Sequence, residues 1–348
     1  NGYTYSFDML GEAALTRTDA SKYLTDYSDA INALANDSYK GASPKPTISI
    51  KLSALHPHYE TAREQQVLDE LSEIVLGLAR QARAGGVGIT IDAEEADRLE
   101  LSLKLFRRVY QHADVKGWGN FGLVVQAYTK RALPVLCWLT LLAKQQGDLI
   151  PVRLVKGAYW DTEIKLCQQA GLDGYPVFTR KEGTDVSYLA CARYLLSPLT
   201  EGLIYSQFAT HNAHTVSCIL SMAGQRKFEF QRLHGMGDAL YDTVIEQNSC
   251  AVRIYAPVGA HKDLLPYLVR RLLENGANSS FVHKLVDKKV PVETLIEHPL
   301  INLSRHASPA NHRIPMPADI YGPQRRNSRG VNLNVLSQWL PLKQQLDS

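Results

Sequence analysis

The sequence predicts an α/β fold, a (βα)8 TIM-type barrel, and three observations carry that prediction. Eight short β-rich runs recur along the chain, helical periodicity fills most of the intervals between them, and the beat occupies about 280 residues. The runs are Tyr3–Met9, Thr47–Ser53, Gly88–Glu94, Phe121–Tyr128, Val152–Ala158, Leu203–His211, Phe228–His234 and Val252–Val258. Between the second and third, the stretch from Glu64 to Ala79 repeats apolar residues at the helical period. The stretch from Ala93 to Phe106 does the same after the third run. After the eighth, Leu264, Leu265, Leu268, Leu272 and Leu273 line one side of a helix that Asn275-Gly276 closes. Tyr267, Arg270, Arg271 and Glu274 share its other face. An open doubly wound sheet is the competing architecture, but the glycine-rich GxGxxG turn that usually opens it is missing.

The size of 348 residues with 45% hydrophobic content allows a large core, and a net charge of +3 gives nucleic acid no obvious hold. Cys137, Cys167, Cys191, Cys218 and Cys250 are widely spaced and odd in number, which suits a reducing compartment and argues against a disulfide framework or a cysteine zinc site. No apolar run reaches membrane-spanning length, and the first residues have no signal-peptide pattern. The sequence starts almost inside a strand, so it reads as a piece of a longer protein. From about Asn302 onward Pro, Ser and Asn dominate, and residues 301–348 are expected to form an extended linker or tail behind a barrel domain of residues 1–300.

A barrel builds its site at the carboxyl ends of its strands. Here those ends are polar: Asp8 and Glu12 after the first, Lys51 after the second, Asp92 and Glu94 after the third, Gln126 and Tyr128 after the fourth. Arg153 to Trp160 follow at the fifth, Ala209 to His214 at the sixth, and Tyr255 lies in the eighth. Strand interiors of a parallel sheet are normally apolar on both faces, so Lys51, Asp92, Arg153 and Lys156 need partners or a ligand. Any one of them alone reads as a structural salt bridge. Three ligand classes compete for the set. A metal is weakly supported, because His211 and His214 lack a completing carboxylate. A Schiff-base lyase or aldolase would use Lys51 or Lys156. A phosphate-bearing cofactor fits most residues, through Arg153, Lys156, Gly157, the Thr179-Arg180-Lys181 cluster and the Thr210-His211-Asn212 turn. Arg270 and Arg271 beside Tyr267 make a plausible carboxylate clamp, although Arg270 and Glu274 also have the spacing of an ordinary surface ion pair.

Five stretches carry a family resemblance: Arg153-Leu-Val-Lys-Gly-Ala-Tyr-Trp160, Gln207-Phe-Ala-Thr-His-Asn-Ala-His214, Phe230-Gln-Arg-Leu-His-Gly-Met-Gly237, Arg253-Ile-Tyr-Ala-Pro-Val-Gly259 and Tyr267-Leu-Val-Arg-Arg-Leu-Leu-Glu-Asn275. Together they resemble the flavin-dependent proline dehydrogenases, and within them the barrel domain of the bacterial bifunctional members. The resemblance implies a distorted barrel that holds FAD, with its last helix over the mouth. It implies that Lys51, Arg270 and Arg271 bind the carboxylate of L-proline, that Tyr159, Leu233, Tyr255 and Tyr267 wall the ring, and that Asp92 orients this network. For FAD it implies Arg153 and Gln126 at the isoalloxazine with Val124 and Ala158 packed nearby, Lys156 and Trp160 along the cofactor, and Thr179, Lys181, His211 and Glu274 toward the phosphates and adenosine. Glu12 would close the site on Arg270. It further implies a membrane quinone as electron acceptor, an aldehyde dehydrogenase domain elsewhere in the parent chain, and a cytoplasmic enzyme that works at the inner membrane surface. The length of the 195–202 loop is hard to match, and the 245–250 connection looks short.

Overall fold

The structure, a computed structural model, describes residues 3–36, 45–248, 250–259, 264–265, 267–271, 291, 293 and 296–348. Eight parallel strands close into a barrel in sequence order: β1 (Tyr3–Met9), β2 (Thr47–Ile50), β3 (Gly88–Ile91), β4 (Phe121–Gln126), β5 (Ile150–Val155), β6 (Ile204–Ala209), β7 (Phe228–Leu233) and β8 (Ala251–Val258). The seam between β1 and β8 runs in register from Tyr3 opposite Val252 to Met9 opposite Val258. Side chains alternate between two environments along each strand. In β2, Ile48 and Ile50 join the apolar core shared with the outer helices, while Ser49 between them lies 3.3 Å from Ser6 inside the barrel. Each buried isoleucine or leucine of this shell contributes about 1.5–3 kcal/mol by leaving water. Gly122 in β4 is required by closeness, since a Cβ there would come within 2.6 Å of the Pro151 carbonyl oxygen on β5.

Several expected strands run too far at their carboxyl ends. Lys51 and Asp92 lie one residue beyond β2 and β3 rather than inside them, and Lys51 instead opens the helical turn Leu52–Leu55. The Glu64 stretch forms the helix Glu64–Gly85. The Ala93 stretch starts late, with the 3-10 turn Ala96–Arg98 and then the helix Leu99–Tyr110. The reason is the buried Glu163, which accepts the Ala96 N–H at 2.6 Å and fixes the loop ahead of the helix. After β8, residues 264–265 and 267–271 are helical. Glu274 and the helix stop at Asn275-Gly276 lie outside the described residues.

The tail is more than an extended linker. Its helix Pro299–Ser304, capped by His298, packs against the helix Lys181–Leu195. Tyr175 donates to the Pro315 carbonyl at 2.6 Å, and Asn327 reaches the Gln168 carbonyl at 2.8 Å. Asn334 donates to Asp97 and accepts from the Thr61 amide. Among the described helices only the final one, Leu336–Asp347, buries none of its residues. No described helix is long and apolar enough to cross a membrane.

Candidate active site

The carboxyl ends of the strands surround a cavity of about 270 Å³. Its floor is a charged lattice. Lys51 Nζ sits 2.6 Å from Asp8 and 3.3 Å from Asp92, and Arg153 donates to the other Asp92 oxygen at 2.8 Å. Arg153 also donates to Ser6 and Ser49, and its guanidinium lies over the Tyr255 ring at 5.0 Å. The Tyr255 hydroxyl completes the lattice by donating to Asp92 at 2.9 Å. Lys51 is only 6% exposed, yet its charge survives: burial works against it, but Asp8, Tyr255 and Asp92 outweigh burial and hold its pKa well above the usual lysine range. Burial first, and then the neighbouring Asp92, raises the Asp8 carboxyl in spite of Lys51. An ammonium so firmly protonated is a poor amine nucleophile, which weighs against a lyase that uses Lys51.

Over the mouth, the helical residues 267–271 supply a second set. Arg270 forms a bidentate pair with Glu12, at 2.7 and 3.2 Å, and lies over the Tyr159 ring at 5.6 Å. Arg271 lies over Tyr267 at 5.3 Å. Tyr159, Leu233, Tyr255, Tyr267, Arg270 and Arg271 all face the cavity, whereas Glu12 touches it only through Arg270.

A third set occupies the other end. Lys156 and Lys181 are both bound by Asp185, with Lys181 at 2.7 Å. The loop after β5 passes closely over Tyr128: Gly157 has φ +131°, and a Cβ there would lie 2.5 Å from that ring, so only glycine fits. Val124, Gln126 and Ala158 face the cavity beside it, as do Thr210 and His211. The Gln126 amide donates to the Glu94 carbonyl at 2.8 Å. His211 Nε2 accepts the Leu233 N–H at 3.0 Å, and burial together with Arg271 and Arg232 lowers its pKa to about 4. It is therefore a neutral side chain at ordinary pH.

Two expected cofactor residues stand behind the wall rather than in it. The Trp160 indole donates to the Phe178 carbonyl at 2.8 Å, and the Thr179 hydroxyl accepts the Asn311 amide at 2.9 Å. Sequence reasoning assigned no role to Asp8, Asp185, Gln231 or Arg232. Asp8 stood at the first strand end and could have been paired with Lys51 from barrel topology alone. Asp185 gave no signal, because its partner Lys156 lies on a different element 29 residues away. Among the described residues no group of His, Cys, Asp and Glu is arranged to hold a metal ion.

Among the described residues seven cations face the cavity against two carboxylates, and Glu12, Asp185 and Asp238 pair with four of those cations from outside. A closed parallel barrel with a cation-rich, aromatic-walled cavity at its carboxyl end defines the class: a (βα)8 barrel with the architecture of a barrel enzyme. A sequence profile described as proline dehydrogenase matches residues 1–284, and the chain belongs to that family. It is 49% identical over 348 residues to the bifunctional protein PutA of Klebsiella aerogenes and 48% identical to that of Escherichia coli, covering 95% of this chain and 26% of each relative. It is 27% identical to proline dehydrogenase 1 of Bacillus subtilis, covering 83% of this chain and 84% of that one. Among solved structures, Bradyrhizobium japonicum proline utilization A matches with a TM-score of 0.94 at 50% identity, over all of this chain and 36% of that one. The chain thus spans about a quarter of the length of the bifunctional curated relatives.

Proposed function

We propose that this chain oxidises L-proline to Δ1-pyrroline-5-carboxylate with FAD as its bound cofactor. The excess of cations facing one cavity carries the reading, because it suits two anions, a substrate carboxylate at one end and a pyrophosphate at the other. Arg270, Arg271 and Lys51 would take the carboxylate. Tyr159, Tyr255, Tyr267 and Leu233 would confine a five-membered ring, and Asp92 would hold Lys51, Arg153 and Tyr255 in place for it. The donor set also fits a flavin. Arg153 Nε is buried without a hydrogen-bond partner among the described residues, and Gln126, Val124, Gly157 and Ala158 form a mixed polar and apolar bed around it. Lys156, Lys181 and Thr210 would face the phosphates, with His211, Trp160 and Thr179 shaping that end. When bound, FAD supplies the two-electron acceptor, N5, that takes the hydride from the substrate carbon beside the ring nitrogen.

The side chains position the substrate and exclude water, which is where most of the rate enhancement in such a site originates. Release of hydride requires a neutral substrate amine. Asp8 and Asp92 are both engaged with cations, so we route the amine proton to solvent. The Glu12–Arg270 pair would act as a gate over the bound ring. A membrane quinone as final acceptor, an aldehyde dehydrogenase domain in the parent chain, a cytoplasmic enzyme working at the inner membrane surface, and the division into a barrel of residues 1–300 with a tail of residues 301–348 belong to the same proposal.

A visible absorption spectrum tests it. The purified chain, supplied with FAD, should show flavin bands that bleach on addition of L-proline without oxygen. A protein that takes up no flavin, or whose flavin ignores proline, would end the reading.

A further inference from the structure

We propose that the tail stretch 308–311 is a brace for the phosphate end of the cofactor site, with Arg180 as the positioning residue that joins them. The segment 176–181 is gripped from two sides. On the barrel side, the Phe178 N–H donates to the Tyr128 carbonyl at 2.9 Å, the Phe178 carbonyl accepts the Trp160 indole, and Thr129 bridges Val177. On the outer side, Arg180 Nε donates to both the Ser308 and Ala310 carbonyls at 3.1 Å, and the Asn311 N–H donates to the Thr179 hydroxyl. The next residue, Lys181, faces the cavity.

The brace is rigid in its own right. Ser308 Oγ accepts the Ala310 N–H at 3.2 Å, and Asn311 Oδ1 accepts the Arg313 N–H at 3.1 Å. Its link to the site spans about 130 residues of sequence, so no local spacing enforces it. Two features fix the kind of role. The acceptors on Arg180 are neutral carbonyls, so its contribution is geometric rather than a charge offered to phosphate. The Thr179 oxygen accepts from the tail, so the contact fixes the side chain and leaves the hydroxyl hydrogen free to donate. The tail thus sets the orientation of Thr179 and the entry angle of the helix Lys181–Leu195, which carries both Lys181 and its partner Asp185.

This inference rests on the FAD reading, and its test separates the two. Flavin release from the full chain is followed on dilution by the rise of free-flavin fluorescence, beside amide hydrogen exchange of residues 308–313 and the proline KM. Arg180→Met should release flavin roughly ten-fold faster, the scale set by two lost hydrogen bonds. Exchange at 308–313 should quicken while the KM stays within about two-fold, since no substrate group is touched. Arg180→Lys should match Arg180→Met, because the Nε–H shared between the Ser308 and Ala310 carbonyls is lost although the charge remains. Wild-type release from Arg180→Lys would replace the brace with a charge effect and overturn the proposal. So would faster exchange with unchanged release from Arg180→Met. If Arg180→Met does not fold, Asn311→Pro removes the donor to Thr179 outside the cavity and carries the same expectations. A wild-type chain that takes up no flavin overturns the functional reading, and unchanged 308–313 exchange in Arg180→Met then removes the brace on its own evidence.

Discussion

The two ends of the barrel solve the same problem, buried charge, in opposite ways. At the amino end, Arg253 and Glu229 are fully buried and form a bidentate pair at 2.7 and 3.0 Å. The remaining Arg253 donors reach the Tyr5 and Lys45 carbonyls, while Tyr205 and Gln231 both donate to Glu229. Charge is balanced and nearly every donor is used. At the carboxyl end, Lys51, Arg153, Asp8 and Asp92 balance one another, while Lys156 and Lys181 share the one carboxylate of Asp185 and Arg153 Nε lacks a partner among the described residues. A balanced buried network reads as stability, and one left in surplus reads as a site awaiting an anion.

The sharpest way to break this comparison is at the amino end. Arg253→Met should cost about 3–5 kcal/mol of folding stability by stranding Glu229, read as a large fall in the urea midpoint. A variant as stable as wild type would deny that network its structural role. At the other end, Arg271→Met should instead raise the proline KM, with about 2–4 kcal/mol lost from kcat/KM and little change in the urea midpoint. Equal losses of stability at both ends would erase the distinction.

The smallest effect concerns a carboxyl between the strands and the outer helices. Burial raises Glu163 to about 7; the Ala96 N–H opposes this, and Asp97 and Glu95 add to it. A raised carboxyl pKa means the fold favours the protonated form. Stability is therefore complete below pH ~4.5 and declines as pH rises toward 7. Glu163→Gln keeps an acceptor for Ala96 and removes the penalty, so it should gain about 1–3 kcal/mol at pH 8 and nothing near pH 4.5. Parallel stability curves against pH for the two proteins would refute the assignment.

Much of this was legible in the sequence, and the remainder has a physical reason. The βα beat gave the barrel because period and length are local properties. Lys51, Asp92, Arg153 and Lys156 stood out because charge is rare in parallel strands. The same test applied to Glu229 and Arg253 would have exposed the amino-end pair, but both lie near the starts of their strands, away from the carboxyl ends where a barrel site is sought. Asp185 was illegible, since its link to Lys156 is made only by folding. Thr179 stood in a basic cluster in the sequence, but the hold on it from the tail was not visible, because its partner Asn311 lies far along the chain.

The seam between β1 and β8 has a consequence for how the molecule comes into being. Closing the ring requires Tyr3 to meet Val252, and Arg253 then fastens the seam through the Tyr5 carbonyl. On a ribosome, the first strand must wait with one edge unpaired until some 250 residues have followed it. The order of synthesis makes β1 the longest-exposed sticky edge of the barrel, and the barrel's last strand is also its first opportunity to become a closed surface.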